Sequence, residues 1–308
     1  MSEAASPAAL LSEGGTAPAF AAGSGAGMPQ LDLTFARDAA GTSRVVRRRV
    51  RYPYAFLRPF WFGDRPEGIA TAILQSGSGG LFGGERLGQR VAVEPGAALH
   101  ITTQAAAIVH ARRGRPAAEQ RIALHLAPGS HLEYLPEPML VFPDGGLDQR
   151  IAVEMAPDAV LLLGDGIAAH DPDAAESTVP QPFGLYRNSL EVRLPDGRLL
   201  FADRGTVTGE GFAAALSGGE RPRRACGWFA VVAPGLPDRH EHLQAQLQTA
   251  LDELAGPVEA AAGILPGGAG AWCRIVATGG DGLRAAQRAC WSAARLLLTG
   301  APPPRNRK

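Results

Sequence analysis

Val91-Ala-Val-Glu-Pro95-Gly-Ala-Ala-Leu99, Ile122-Ala-Leu-His-Leu-Ala-Pro128-Gly-Ser-His-Leu132 and Ile151-Ala-Val-Glu-Met-Ala-Pro157-Asp-Ala-Val-Leu161 are three versions of one unit. In each, an alternating apolar segment runs into Pro-Gly or Pro-Asp and a second apolar segment leaves it. Proline at the first turn position fixes φ, and glycine or aspartate tolerates the backbone angles of the second, so each unit is expected to be a β-hairpin. The turn prolines recur at roughly 30-residue intervals, a period at which one repeat can cover the apolar face of the next. Leu190-Glu-Val-Arg-Leu-Pro195-Asp-Gly-Arg-Leu-Leu-Phe201 is a looser fourth copy. The expected fold is mostly β, with stacked β-hairpins in packed, solenoid-like sheets.

Outward from these units the pattern changes. Leu243, Leu247, Leu251 and Leu254 follow helical spacing and are stopped by Gly256-Pro257. A second helical stripe starts after Asp281 as a candidate N-cap and carries Leu283, Ala286, Cys290, Trp291, Ala294 and Leu297 to Gly300. Two C-terminal helices therefore close the chain. Arg284, Arg288 and Arg295 on the second are read as solvated surface charge. At the other end, residues 1–30 are rich in Ala, Gly, Ser and Pro, lack the basic region of a targeting peptide, and are expected to be a disordered tail. Residues 31–308 are expected to form one β-rich domain with C-terminal helices.

Composition removes several classes of function. Lys+Arg and Asp+Glu both total 30 in 308 residues, so nucleic acid and anionic membranes are not expected partners. No apolar run is long enough to span a bilayer. The only lysine is Lys308, which excludes a P-loop and a Schiff-base lysine. There is no GxSxG elbow and no HExxH. Gly79-Gly80-Leu-Phe-Gly83-Gly84 lacks the order of a dinucleotide loop and reads as a tight backbone crossing. Cys226, Cys273 and Cys290 form neither a CxxC nor an even disulfide set, which fits a reducing cytoplasm.

The candidate site residues are carboxylates and imidazoles. Glu133 and Glu137 bracket Tyr134-Leu-Pro136 in an otherwise apolar strand, and Glu85 follows the diglycine. A partly buried carboxylate must find a cation, a donor, water or a metal; Arg86, Arg112 and Arg113 are candidate structural partners. His170 stands near Asp165, Asp171 and Asp173 and is the best single candidate for transient metal contact. His125 and His131 flank Pro128-Gly129 and would face each other across a hairpin. His240 and His242 could chelate together only if the segment is extended, because residues two apart on a helix do not share a face.

Gly83-Gly84-Glu85-Arg86-Leu87, Thr102-Thr103-Gln104-Ala105-Ala106 and Leu132-Glu133-Tyr134-Leu135-Pro136, in that order, resemble the UreD (UreH) family of urease accessory proteins. The similarity runs from about Leu31 to the end and includes the Trp291…Arg295 helix and the closing Pro303-Pro304-Arg305. Glu85 stands where the family has Asp, and Ile108 and His110 replace an expected Lys and Tyr. The resemblance implies a cytoplasmic protein without turnover of its own and without a tightly bound cofactor. It would act as scaffold and nickel conduit between apo-urease and UreF-like and UreG-like partners, the last supplying the GTPase. Glu85, Glu133, Glu137, Asp165 and His170 are then the candidate contacts for transient nickel. Two other readings are a β-solenoid carbohydrate-active enzyme with paired carboxylates and an interaction module with no metal role.

Overall fold

The computed structural model describes residues 28–62, 65–170, 182–216, 223–256 and 258–304. In chain order the strands are β1 (Leu31–Arg37), β2 (Ser43–Val50), β3 (Tyr54–Ala55), β4 (Ala70–Ser76), β5 (Arg86–Val93), β6 (Ala98–Thr103), β7 (Ile108–Val109), β8 (Ala118–Leu126), β9 (His131–Tyr134), β10 (Met139–Val141), β11 (Gly146–Met155), β12 (Val160–Ala169), β13 (Leu185–Arg193) and β14 (Leu199–Thr208). Then come α1 (Gly209–Leu216), β15 (Ala225–Val232), α2 (His240–Asp252), β16 (Val258–Ile264), β17 (Gly270–Ala277) and α3 (Gly280–Thr299).

The three Pro turns form as expected, but their arms do not pair with each other. Ala97, Ser130 and Ala159 each donate a backbone N–H three residues back, to Glu94, Ala127 and Ala156, closing the turns, and Gly96 and Gly129 take the positive φ the turn requires. Beyond each turn the chain enters a different sheet. β5, β8, β11 and β13 lie side by side in parallel in a seven-stranded sheet ordered β14-β13-β11-β8-β5-β1-β2. β6, β9 and β12 lie side by side in parallel in a ten-stranded sheet whose main path is β16-β17-β15-β12-β9-β6-β4-β3. The units are thus arches bridging two layers, and the stacking runs from unit to unit: the Gly96 N–H donates to Pro128 O of the next turn. Hairpins are the part of the expectation that is corrected. Both arms of each arch carry an apolar face toward the other, and burying those faces against each other requires them to separate into facing layers. Only the looser fourth copy is a hairpin, with β13 and β14 antiparallel. The mostly β character, the packed sheets and the C-terminal helices stand as read; α1 had no counterpart in the sequence reading.

Two apolar layers result. One fills the space between the sheets, with Leu99, Ile101, Leu124, Val153, Leu161 and Leu163 among its members. The other lies between the ten-stranded sheet and α2 and α3, where Leu243, Leu247 and Leu251 meet Leu162, Phe229, Cys290 and Ala294. The central strands of that sheet are covered on both faces, which is why β12 is apolar almost throughout. The outer face of the seven-stranded sheet instead carries polar contacts such as the Arg187–Asp148 ion pair at 2.9 Å and the approach of His125 to Glu154 at 3.1 Å.

Gly79-Gly80 is the close crossing the sequence suggested. Gly80 has φ 151°, and a Cβ there would stand 2.2 Å from Ile108 O. No helix among the described residues is long and apolar enough to cross a membrane. Residues 1–27, Asp171, Asp173 and Arg305 lie outside the described residues. Gln30, the last residue of the proposed tail, is bound: its side chain accepts from the Gly88 N–H at 2.7 Å and donates to Arg86 O at 3.1 Å.

Candidate functional site

Side chains alternate along a strand, so Glu133 and Tyr134 on β9 point to opposite faces of the ten-stranded sheet. Glu133 faces α3 and is 0% exposed. Its Oε1 lies 3.0 Å from His131 Nε2, and its Oε2 accepts from Trp291 Nε1 at 3.0 Å and Arg295 Nη1 at 3.2 Å. His100 Nδ1 approaches Oε2 to 3.1 Å, an ion-pair distance without hydrogen-bond alignment. The His100 ring stacks on Trp291 at 4.7 Å. Burial pushes the Glu133 carboxyl up, but the contacts with His100 and His131 outweigh it and hold the group well below the usual carboxylate range. Arg295, read from sequence as surface charge, is 1% exposed. It also donates to Arg65 O, tying α3 to the segment before β4. The physical reason is helical spacing: Arg295 is four residues past Trp291 and shares its buried face. Arg284 and Arg288 are exposed, as expected.

Asp165 on β12 points the other way, between the sheets, and is 4% exposed. Its Oδ2 accepts from Gln149 Nε2 at 2.7 Å and Tyr186 OH at 3.0 Å. Burial raises its pKa from 3.8 to about 6 against the opposing pull of Tyr186, Gly166 and Gln149. Burial also raises the Tyr186 phenol well above its ordinary value, with Asp165 adding to the effect, so Tyr186 remains a donor. Gln120, Gln149 and Asn188 occupy one row of the parallel sheet opposite. Gln149 Oε1 and Asn188 Oδ1 are buried and have no hydrogen-bond partner among the described residues. Buried orphan carbonyl oxygens beside a carboxylate give an oxygen-rich locus in an otherwise apolar interior, the kind of exception that calls for a reason. Nearby, Tyr134 OH donates to Gln89 Oε1 at 2.9 Å and Gln89 Nε2 to Tyr54 OH at 3.0 Å, continuing a polar thread between the layers. Behind Asp165, Gln287 of α3 donates to the backbone oxygens of Asp165 and Trp228 at 2.9 and 3.1 Å.

The other candidates lie at one end of the sandwich. The seven-stranded sheet's arch strands start there and the ten-stranded sheet's arch strands finish there, since the Pro turns join them at the opposite end. Glu85 precedes β5 and its Oε2 accepts from the Phe82 N–H at 3.0 Å. Glu137 follows β9 and lies 3.6 Å from Arg284. His170 follows β12, is exposed, and meets Phe142 at 5.4 Å between ring centres. Phe142 in turn contacts His110, which stacks on Phe82 at 4.3 Å. The five candidates do not converge on one centre: Glu133 and Asp165 occupy opposite faces of the ten-stranded sheet, and the other three sit at one end of the sandwich. Among the described residues no three His, Cys, Asp or Glu side chains are grouped to hold a metal ion.

Two histidine pairings do not form. His125 and His131 are in different sheets, because the Pro128 turn separates its arms; His125 pairs with Glu154 and His131 with Glu133. His240 opens α2 buried, 2.9 Å from Ala233 O, while His242 is exposed. Of the suggested arginine partners, Arg86 pairs with Glu119 and Arg112 with Asp144, the latter at 2.7 Å; neither reaches a candidate carboxylate. The sequence reading assigned no site role to Gln149, Asn188 or Tyr186, and placed Trp291 only on the helical stripe and in the family resemblance. For Gln149 and Asn188 the usable signal was an amide on the apolar phase of a strand.

The fold is thus a two-layer β sandwich of parallel arches covered on one side by helices, with Glu133 and Asp165 buried in it. The model of the family described as UreD urease accessory protein matches residues 27–308. Relatives include urease accessory protein UreD 1 of Pseudomonas syringae pv. syringae (strain B728a), 33% identical over 90% of this chain and 94% of the relative. UreD 1 of Bradyrhizobium sp. (strain BTAi1) is 35% identical over 88% and 91%, and UreD 3 of Bradyrhizobium sp. (strain ORS 278) 36% over 90% and 95%. The chain belongs to the UreD family of urease accessory proteins.

Proposed function

We propose that this chain assists urease maturation as a scaffold and nickel conduit, acting in the cytoplasm between apo-urease and UreF-like and UreG-like partners, without turnover of its own. The observation that carries the conduit is the interior locus of Asp165 with the unpartnered Gln149 Oε1 and Asn188 Oδ1. An ion in transit must be held weakly enough to leave, and a few exchangeable oxygens serve better than a closed His or Cys cage. Nickel is cargo here, entering past the rim where Glu85, Glu137 and His170 stand and meeting Asp165 inside. Glu133 has a different part: its lone pairs are committed to His131, Trp291 and Arg295, so it fastens α3 to the sheet.

The test is urease activity and nickel content in cells carrying the cognate urease and accessory genes, with this chain present, deleted, or bearing Asp165→Asn. Deletion is expected to abolish activity while apo-urease stays abundant, and Asp165→Asn to lower nickel content at unchanged levels of this protein. Full activity on deletion would refute the maturation reading. Full activity of Asp165→Asn alone would refute the conduit and leave the scaffold.

A further inference from the structure

Residues 31–62 concentrate both charge and exposed apolar surface. They hold seven arginines against Asp32 and Asp38 and no other charged side chain, in a chain whose charges balance overall. β2 is the outermost strand of its sheet, and the following loop is pinned back toward it. Trp61 Nε1 donates to Ser43 O at 2.9 Å, the Arg44 guanidinium lies 4.8 Å from the Trp61 ring, and Arg48 donates to Phe56 O at 2.6 Å. Phe60 and Phe62 stack at 6.1 Å. The loop is thus ordered, yet Val46, Tyr52, Leu57, Phe60, Trp61 and Phe62 are between 36% and 72% exposed. Asp38 and Asp32 take up Arg44 and Arg47. Arg51 and Arg58 are exposed, and neither side chain has an ion pair among the described residues.

Charge on an edge strand prevents sheets from pairing edge to edge. That accounts for arginines on β2 but not for the aromatic and aliphatic side chains beside them, which promote association. Tyr, Trp, Phe and Arg are the residue types that anchor protein interfaces. A second copy is a poor occupant, because a two-fold interface sets a patch against itself and would oppose arginine to arginine. Nucleic acid is a poor one as well: Phe60 and Phe62 stack on each other and Arg44 covers Trp61, leaving little open ring face for bases.

We propose that this surface docks apo-urease through a face of it that is acidic and carries apolar side chains. The choice of client rests on the maturation reading. Solvent-exposed arginines speed encounter and let go as salt screens them, which suits a client that must leave once loaded better than a permanent subunit.

The experiment measures binding of the full chain to immobilised apo-urease at low salt and at about 0.5 M salt, for wild type, Arg51→Glu/Arg58→Glu and Leu57→Ala/Phe62→Ala. All four side chains are exposed, so melting temperatures should match and serve as the folding control. The charge variant is expected to bind at least about tenfold more weakly at low salt, with the gap closing at high salt. The apolar variant should lose affinity similarly at both. Wild-type binding matched by both variants would overturn the docking surface and leave the maturation reading intact. Absence of wild-type binding would overturn both. Variant losses seen only toward the UreF-like partner, an oligonucleotide or a second copy would overturn the choice of occupant.

Discussion

Asp165→Asn tests the interior locus through a quantity independent of urease. The Asp165 carboxyl is raised from 3.8 to about 6 in the folded chain by burial. A raised acid binds its proton more tightly folded than unfolded, so between about pH 4 and 6 the native state holds more protons and stability falls as pH rises. Two units correspond to about 3 kcal/mol, fully present as a penalty above pH 6 and absent below pH 4. Asparagine does not titrate and escapes that slope. Its amide must still replace one carboxylate oxygen, a mismatch worth about 1 kcal/mol against the donors around it. The variant is therefore expected to be less stable than wild type near pH 4 and more stable, by roughly 2 kcal/mol, at pH 8. Urea unfolding at both pH values gives the comparison. A stability difference between the two proteins that does not change with pH would refute a buried, titrating Asp165. A gain in stability with a loss of nickel delivery would mean that the ionised carboxylate is retained at the expense of the fold.

Arg295→Met should cost about 3–5 kcal/mol, because it leaves Glu133 buried without its permanent cation; the double variant with Glu133→Leu should recover part of the loss, read from a denaturation double-mutant cycle. Glu133 also sets an acid limit of the opposite sign to Asp165. Its folded pKa is depressed, so its contribution is complete above the ordinary value of 4.5 and is lost as pH falls below it, and Glu133→Gln should flatten that part of the wild-type stability profile. Gly80→Ala should destabilise by about 2 kcal/mol or more, since its Cβ would collide with Ile108 O at a positive φ; a melting point equal to wild type would contradict the crossing.

The turns, the apolar phases of the strands and both C-terminal helices were legible because each is encoded locally, by Pro95-Gly96, by alternation and by the leucine spacing of α2. Pairing was not. Val91 and Leu99 look the same in sequence whether their strands bond to each other or each bonds to its counterpart in the next arch, and only burial of both arms decides for the arch. Glu133 was found as a carboxylate in an apolar strand and Asp165 only as a neighbour of His170 in the sequence, and their separation to opposite faces depends on α3 covering one side of the sheet. Arg295 was misplaced because its charge was weighed above its position on the Leu283–Trp291 face. Gln149 and Asn188 went unnoticed because their alignment in one row exists only once β11 and β13 are neighbours.

The bond from Arg295 to Glu133 joins residues 162 apart in the chain. As synthesis proceeds, β9 is made long before the helix that covers it, and until then Glu133 has His100 and His131 but neither Arg295 nor Trp291, beneath a bare apolar face. Folding of this sheet must wait for the last helix, a long-range closure that slows the process, and a chain interrupted before α3 would carry its own defect at the centre, marking it as unfinished.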